Sequence, residues 1–302
     1  MLRLATTGRR AYKEGMENTL VDLHTHSTAS DGTDTPPALM ARAHSLGLAA
    51  IALTDHDTLA GLAEAEEAAA SLGIGFIRGC EISTRSDAGE QHILGLWVPR
   101  EAEALENWLA AVRRRRNERN AEMVARLRAL GLDVTLDEVR GRASGSVGRP
   151  HMAALLVEKG YARDVNEAFR EYLGSRGKAF VPKQVPPPEE AVRILREVGA
   201  TPVLAHPFLN DPAPEAVASL TRRLAACGLG AIEAWHTRHS EADTRQCVEL
   251  AARLGLGLSG GSDYHGANKP GIQPGTGYGG LRVPVTVLKA LQKRRRAEGL
   301  PC

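Results

Sequence analysis

Cysteine is scarce in this sequence, and nothing pairs it locally. Cys80, Cys227, Cys247 and Cys302 form no CxxC motif, which argues against a disulfide framework or a thiolate zinc ribbon and suits reduced thiols in a cytoplasmic protein. Aromatic residues make up only 4% of the chain, too few for a base-stacking platform of the single-strand-binding kind. No apolar run approaches the ~20 residues of a membrane span. The opening stretch, MLRLATTGRRAYKEGMENT, lacks the apolar segment of a secretory signal; residues 1–18 are expected to form a poorly ordered tail. A surplus of charge is also missing: the net charge is +2, with no whole-chain signature of nucleic-acid binding. Lysine is rare at 7 against 31 arginines. That bias reads either as coding preference or as phosphate recognition by guanidinium forks.

What is present is an ordinary globular composition, 43% apolar and 25% charged over 302 residues, with enough apolar material for a sizeable core. A first strand is expected at Leu20–His24, followed by a polar loop over 27–37 and a helix opened by Pro36-Pro37. Strands at Ala49–Thr54 and Gly75–Cys80 flank a helix over 58–72, as in βαβ units on a parallel sheet. A hairpin-like pair, Glu81–Arg85 and Gln91–Val98, turns at Asp87-Ala88-Gly89. The rhythm then changes. Residues 101–180 read as charged helices (101–130, 135–140, 149–159 and 165–173) inserted into the α/β domain, and the proline-rich stretch 180–188 leads back. Strands at Pro202–Ala205, Ala231–Ala234 and Leu256–Ser259 alternate with helices at 189–198, 214–226, 241–254 and 284–297. Six or seven parallel strands, each followed by a helix or loop, predict an α/β barrel of TIM type, 19–100 plus 181–302, carrying a helical insertion, 101–180.

The chemistry-bearing residues gather at the ends of these strands. Asp22, His24 and His26 close the first, with Asp31 seven residues beyond His24. Asp55, His56 and Asp57 follow the second, Glu81 the third, and His92 lies on the next. His206, Glu233, Asp263 and His265 follow later strands. Strand ends of a parallel barrel converge on one mouth, and residues two apart on a strand share a face. One histidine at a strand end is ordinarily a cap or core residue; six of the ten in the chain, set among carboxylates, point to a metal site. Imidazole and carboxylate without thiolate suit Mn²⁺, Fe²⁺ or Zn²⁺. The candidates outnumber the ligands of one ion, so two or three ions are expected, sharing a hydroxide nucleophile and clamping a phosphate. Cys80 adjoins Glu81 but faces the other way along the strand, toward the core.

The segments Asp22-Leu23-His24-Thr25-His26-Ser27, Thr54-Asp55-His56-Asp57, Gly79-Cys80-Glu81-Ile82 and Gly261-Ser262-Asp263-Tyr264-His265 resemble the four motifs of the PHP (polymerase and histidinol phosphatase) superfamily. The resemblance covers about 19–100 and 188–270. It implies a distorted (β/α)₇ barrel and a di- or trinuclear centre that hydrolyses phosphate esters. Carried over, it implies that His24, His26, Glu81 and Asp263 hold one ion, Glu81, His92 and His206 a second, and Asp31, His56 and His265 a third, with Glu81 bridging and Mn²⁺ the first choice of metal. The helical insert, with its Arg-rich first helix and Gly148-Arg149-Pro150-His151, resembles the 3′,5′-nucleoside bisphosphate phosphatase branch, some of whose members act as 5′→3′ exoribonucleases on short 5′-phosphorylated RNA. The alternatives are a phosphatase of another small monoester such as histidinol phosphate, and a PHP module without catalysis. A nucleotide or short RNA is the expected partner, with no membrane and no obligate protein partner.

Several residues admit two readings. Arg149 and His151 open a helix, where anions are favoured, and serve either as phosphate contacts or as structural caps. Arg149 is also a candidate for stabilising charge in the reaction, alongside Glu81 and Asp263. His236 and His239 are candidate substrate contacts, and His239 a candidate proton donor. His44 reads as structural. Arg113–Arg116 with Arg119 read either as an RNA-steering surface or, more commonly, as a solvated helix face.

Overall fold

The computed structural model describes residues 19–86, 89–142 and 147–302. The expected tail 1–18, the Asp87-Ala88 turn and Gly145-Ser146 lie outside them. Among the described residues the barrel is a seven-stranded sheet in sequential order: β1 (Val21–Asp22), β2 (Ala50–Leu53), β3 (Gly75–Ser86), β4 (Gly89–Leu96), β5 (Thr201–Leu204), β6 (Ala231–His236) and β7 (Gly257–Gly261). The sheet curls until its edges meet: Leu23 N–H donates to Gly260 O at 3.1 Å, and beyond the strands His26 N–H donates to Tyr264 O at 2.9 Å. This is the distorted barrel expected.

The expected hairpin is present, and at that place the count of six or seven parallel strands fails. β4 runs antiparallel to both β3 and β5, while the other neighbours pair parallel. Ser86 and Gly89 face each other across the turn, and a connection that short can only join antiparallel strands. β3 also does not stop at Cys80. It runs on through Glu81 to Ser86, so Glu81 sits in mid-strand. The reversal matters for function: the N-terminal end of β4, and His92 with it, arrives at the mouth where its neighbours end.

Helices α1 (Pro36–Ser45), α2 (Leu62–Leu72), α7 (Pro188–Glu197), α8 (Pro214–Ala226), α9 (Glu241–Leu254) and α10 (Val285–Ala297) surround the barrel. The insertion comprises α3 (Glu103–Ala129), α4 (Leu136–Arg140), α5 (Arg149–Glu158), α6 (Val165–Ala168) and a short π-helix at Phe169–Leu173. Its own core contains Met123, Leu127, Leu155, Leu156 and Leu173. α3 serves both units, since Leu105 and Leu109 at its start pack with the barrel residues Ile82, Ile93 and Leu195. Cys80 is in that cluster too, and burial pushes its thiol up to about 12. All four cysteines are unpaired.

Candidate metal centre

Four donors from two strand ends and one mid-strand position close on a single point. His24 Nε2 lies 3.3 Å from Glu81 Oε2 and 3.6 Å from Asp263 Oδ1; His26 Nε2 lies 3.1 and 3.4 Å from the same two oxygens. An ion bound at about 2.1 Å by imidazole and carboxylate sets its donors roughly 3–3.5 Å apart. Glu81 turns its other oxygen to a second pair of imidazoles, with His92 Nδ1 at 2.8 Å and His206 Nε2 at 3.1 Å. His56 Nδ1 stands 3.1 Å from Glu81 Oε2, and its Nε2 is 3.8 Å from Asp31 Oδ2. Asp31 Oδ1 in turn meets His265 Nε2 at 3.3 Å. All nine expected ligands therefore share one cluster. The groups close enough for a common ion are His24-His26-Glu81-Asp263, His26-Asp31-His56-His265 and His56-Glu81-His92; His56 and His26 thus reach further than the expected sets allowed.

The donors fit cations rather than one another. His24 Nε2, both ring nitrogens of His26, His56 Nδ1 and Glu81 Oε2 are buried without a hydrogen-bond partner, a costly state for polar atoms unless a ligand satisfies them. Burial opposes charge throughout the cluster, yet its members overrule it in pairs. Asp263 and Glu81 lift His26 to about 9, and Glu81 lifts His92 to about 9. His56, His92 and His24 hold Glu81 well below the usual carboxylate range. For His56 burial wins, and its pKa falls well below the ordinary value.

A second layer fixes the ligands. Glu233 Oε1 accepts from His24 Nδ1 at 3.0 Å, and its Oε2 accepts the His206 N–H at 2.7 Å. Since a carboxylate only accepts, His24 carries its proton on Nδ1 and offers Nε2 as a lone pair. His265 does the same by donating Nδ1–H to Asp263 O at 2.9 Å. His236 accepts the Arg238 N–H on Nδ1 at 3.2 Å and points Nε2–H at Asp263 Oδ2, 3.4 Å away. Both its ring nitrogens are thus engaged, and its place is behind Asp263. Asp22 and Asp55 are structural: Asp22 accepts the amides of His24, Ser262 and Gly275, and Asp55 accepts Ser27 N–H and the hydroxyls of Ser27 and Ser30. Three residues here hold positive φ without being glycine, namely Asp57 (53°), His206 (27°) and Asp263 (56°). Such backbone costs on the order of 1–3 kcal/mol each and gathers at functional sites.

The Arg-rich run divides. Arg113, Arg116 and Arg119, three apart, share one face of α3 and turn inward; Arg114 and Arg115 are exposed. A wholly solvated face is therefore ruled out for this run. Arg113 donates to Asp57 O at 2.7 Å, Arg116 pairs with the buried Asp57 carboxylate, and Arg119 donates to Val181 O at 2.9 Å while its Nη2 stays buried and unpartnered. Arg116 and Arg119 line a cavity of about 310 Å³ together with Arg149, His151 and Lys183; Asp31, His56 and His92 of the metal cluster form its other wall. Burial pulls Arg116, Arg119 and Lys183 below their ordinary pKa values, the mark of cations held out of water. Arg149 opens α5 as expected, donating to Leu173 O at 3.4 Å and lying over the Phe169 ring. His151 caps the same helix, its Nδ1 accepting the Gly148 N–H at 3.2 Å. His239 donates Nδ1–H to Ala234 O at 3.0 Å. His44 lies exposed on α1. Sequence reasoning missed Lys183, Lys269 (Nζ 2.5 Å from Asp263 Oδ2) and the role of Glu233; only Glu233 carried a signal, its place at a strand end.

Residues 22–179 match the PHP domain family. The chain belongs to that family. Its PHP relatives include a phosphoribosyl 1,2-cyclic phosphate 1,2-diphosphodiesterase from Eggerthella lenta, 36% identical over 87% of this chain and 98% of the relative. A 3′,5′-nucleoside bisphosphate phosphatase from Chromobacterium violaceum is 35% identical over 84% of this chain and 90% of its own. The 5′-3′ exoribonuclease Rnm of Escherichia coli is 34% identical over 82% and 85%. Among solved structures, an amidohydrolase from Chromobacterium violaceum with bound sulfate and no metal aligns with a TM-score of 0.76 at 33% identity, over 91% of this chain and 97% of that one. With these relatives and this donor cluster, the chain is a metal-dependent hydrolase of phosphate esters. No helix among the described residues is long and apolar enough to cross a membrane.

Proposed function

We propose that this PHP enzyme removes the 3′-phosphate of nucleoside 3′,5′-bisphosphates and cleaves the same bond in short 5′-phosphorylated RNA. The observation that carries the reading is the cationic cavity against the metal cluster. A single small monoester needs one phosphate site, which the cluster itself supplies. Four further cations, Arg116, Arg119, Arg149 and Lys183, line the adjoining space, and Arg119 keeps a buried donor in reserve. A second phosphate on the same ribose would meet the open donor of Arg119, with the other three cations beside it.

His24, His26, Asp31, His56, Glu81, His92, His206, Asp263 and His265 would hold the ions, with Mn²⁺ suited to the donor set and Fe²⁺ or Zn²⁺ as substitutes. Bound there, divalent ions make water nucleophilic near neutral pH and offset phosphate charge. The chain's own side chains do the rest. Arg149 and Arg119 grip the 5′-phosphate through charge-assisted hydrogen bonds, which fixes the ribose and presents the 3′-phosphate to the cation site that Glu81 and Asp263 would help to form. His151, its Nδ1 occupied, offers Nε2–H to the same phosphate. Glu233 and His236 keep His24 and Asp263 in register.

The purified Mn²⁺ form should be assayed on adenosine 3′,5′-bisphosphate, adenosine 3′-phosphate, histidinol phosphate and a phosphoribosyl 1,2-cyclic phosphate. The bisphosphate should give the highest kcat/KM, and loss of the 5′-phosphate should cost roughly 10- to 150-fold. Preference for histidinol phosphate or for the cyclic ester would overturn the reading.

A further inference from the structure

Aromatic residues are few in this chain, yet two of them line one cavity. Trp235, at the end of β6, and Tyr278, in the loop after β7, border a space of about 560 Å³ that also takes in His236, His239, Arg245 and Arg282. Its lining shares no residue with that of the cationic cavity. The metal cluster lies between the two: Asp31, His56 and His92 wall the first, and His236, whose Nε2 points at Asp263, walls the second.

Several features suit a nucleotide there. Tyr278 is 60% exposed and sits between Gly277 (φ 56°) and Gly279 (φ 100°), a left-handed backbone that favours glycine. Bases stack on such rings, and guanidinium planes add to the stack or bind phosphate. Arg245 is held only by a 3.7 Å surface contact with Glu241. Arg282 donates to the Gly279 and Leu281 carbonyls. His239 supplies the independent sign of a ligand. A carbonyl can only accept, so its 3.0 Å contact with Ala234 O places the proton on Nδ1. Nε2 is then an acceptor, buried and without a partner, suited to a hydroxyl donor such as a ribose 2′-OH.

We propose that this cavity holds the nucleotide on the 3′ side of the scissile phosphate when the substrate is RNA. This rests on the function proposed above. Water adds to phosphorus, the bond from phosphorus to O3′ of the first nucleotide breaks, and O3′ takes a proton. The phosphate stays on the downstream nucleotide. A bisphosphate undergoes the same cleavage with nothing in the second cavity, so one centre serves monoester and diester, and Tyr278 and Arg245 decide how well the diester is used.

The test compares adenosine 3′,5′-bisphosphate with the 5′-phosphorylated dinucleotide pApA on the full-length Mn²⁺ enzyme and its Tyr278→Ala and Arg245→Ala variants. Both side chains are exposed, and unchanged melting and metal content check that the variants fold. kcat/KM for pApA should fall roughly 5- to 30-fold in Tyr278→Ala, the lower part of the range for loss of base stacking, while the bisphosphate changes less than about twofold. In metal-free protein the Kd for pApA should rise by a similar factor and that for the bisphosphate should not. Equal losses on both substrates, or no loss on either, would overturn the cavity assignment and leave the proposed function standing. A wild type that cleaves the bisphosphate but not pApA would overturn the cavity assignment together with the RNA half of the proposed function, and leave the bisphosphate half standing. A wild type inactive on both would overturn the two together.

Discussion

Glu233 touches no expected substrate atom, yet its replacement by glutamine should weaken metal binding. The carboxylate is fully buried and faces two donors, His24 Nδ1–H at 3.0 Å and the His206 N–H at 2.7 Å. Glutamine has the same shape but offers one acceptor and one NH₂. Whichever way the amide turns, one buried donor meets another donor. If the NH₂ faces His24, the ring moves its proton to Nε2 and can no longer ligate; if it faces His206, the backbone that positions that imidazole must shift. A buried donor left unsatisfied costs about 1–3 kcal/mol, and loss of a carboxylate behind a ligating histidine typically weakens metal affinity 10- to 100-fold. Glu233→Gln should therefore bind Mn²⁺ 10- to 100-fold more weakly in an equilibrium titration. Its melting point should drop by roughly 2–10 °C, and saturating Mn²⁺ should restore most of kcat. A variant with wild-type metal affinity and stability would refute the claim that Glu233 sets the His24 tautomer.

Glu81→Gln should abolish turnover and lower metal content by atomic analysis, because one carboxylate faces both imidazole groups; near-normal activity with full metal would contradict the bridging position. Arg149→Ala and Arg149→Lys should remain folded and metallated yet lose roughly 10- to 150-fold in kcat/KM on adenosine 3′,5′-bisphosphate. Hydrolysis of p-nitrophenyl phosphate should suffer much less, and equal loss on both would place Arg149 at the scissile phosphate. In the metal-free protein His26 and His92 are raised to about 9, against about 6.5 unfolded. Their contribution to stability is thus complete below pH 6.5 and fades as pH rises through 9, so the metal-free melting point should fall between pH 7 and 9.5. Over the same range Mn²⁺ affinity should rise, since fewer protons must leave; a metal-free melting point that climbs with pH would refute the assignment.

How much of this was legible in the sequence follows from where each residue gets its partner. His24 and His26, Asp55-His56-Asp57, and Asp263 with His265 lie two apart or adjacent at strand ends, so period-2 alternation and the convergence of barrel strands sufficed to bring them together. The direction of β4 was half legible. The turn before Gly89 announced a hairpin and so an antiparallel β3–β4 pair, but the βα rhythm on either side suggested parallel strands, and nothing local told that β4 would also pair antiparallel with β5, more than a hundred residues on. No pattern marks Lys183, which comes from a proline-rich connection, or Lys269, which comes from a glycine-rich loop; the first depends on a contact across the fold with Glu90, the second on how its loop folds back to Asp263, six residues earlier. The arginine run shows the limit most clearly. Five arginines within seven positions read as one surface stripe, but a helix gives residues three apart a common face and sends the intervening ones away. Whether that face meets water or a metal centre is set by Asp57, more than fifty residues earlier. Its left-handed backbone turns a buried carboxylate and a carbonyl toward Arg116 and Arg113. Asp57 thereby ties the insertion to the barrel, and the cations facing the site follow from that tie rather than from the composition of α3.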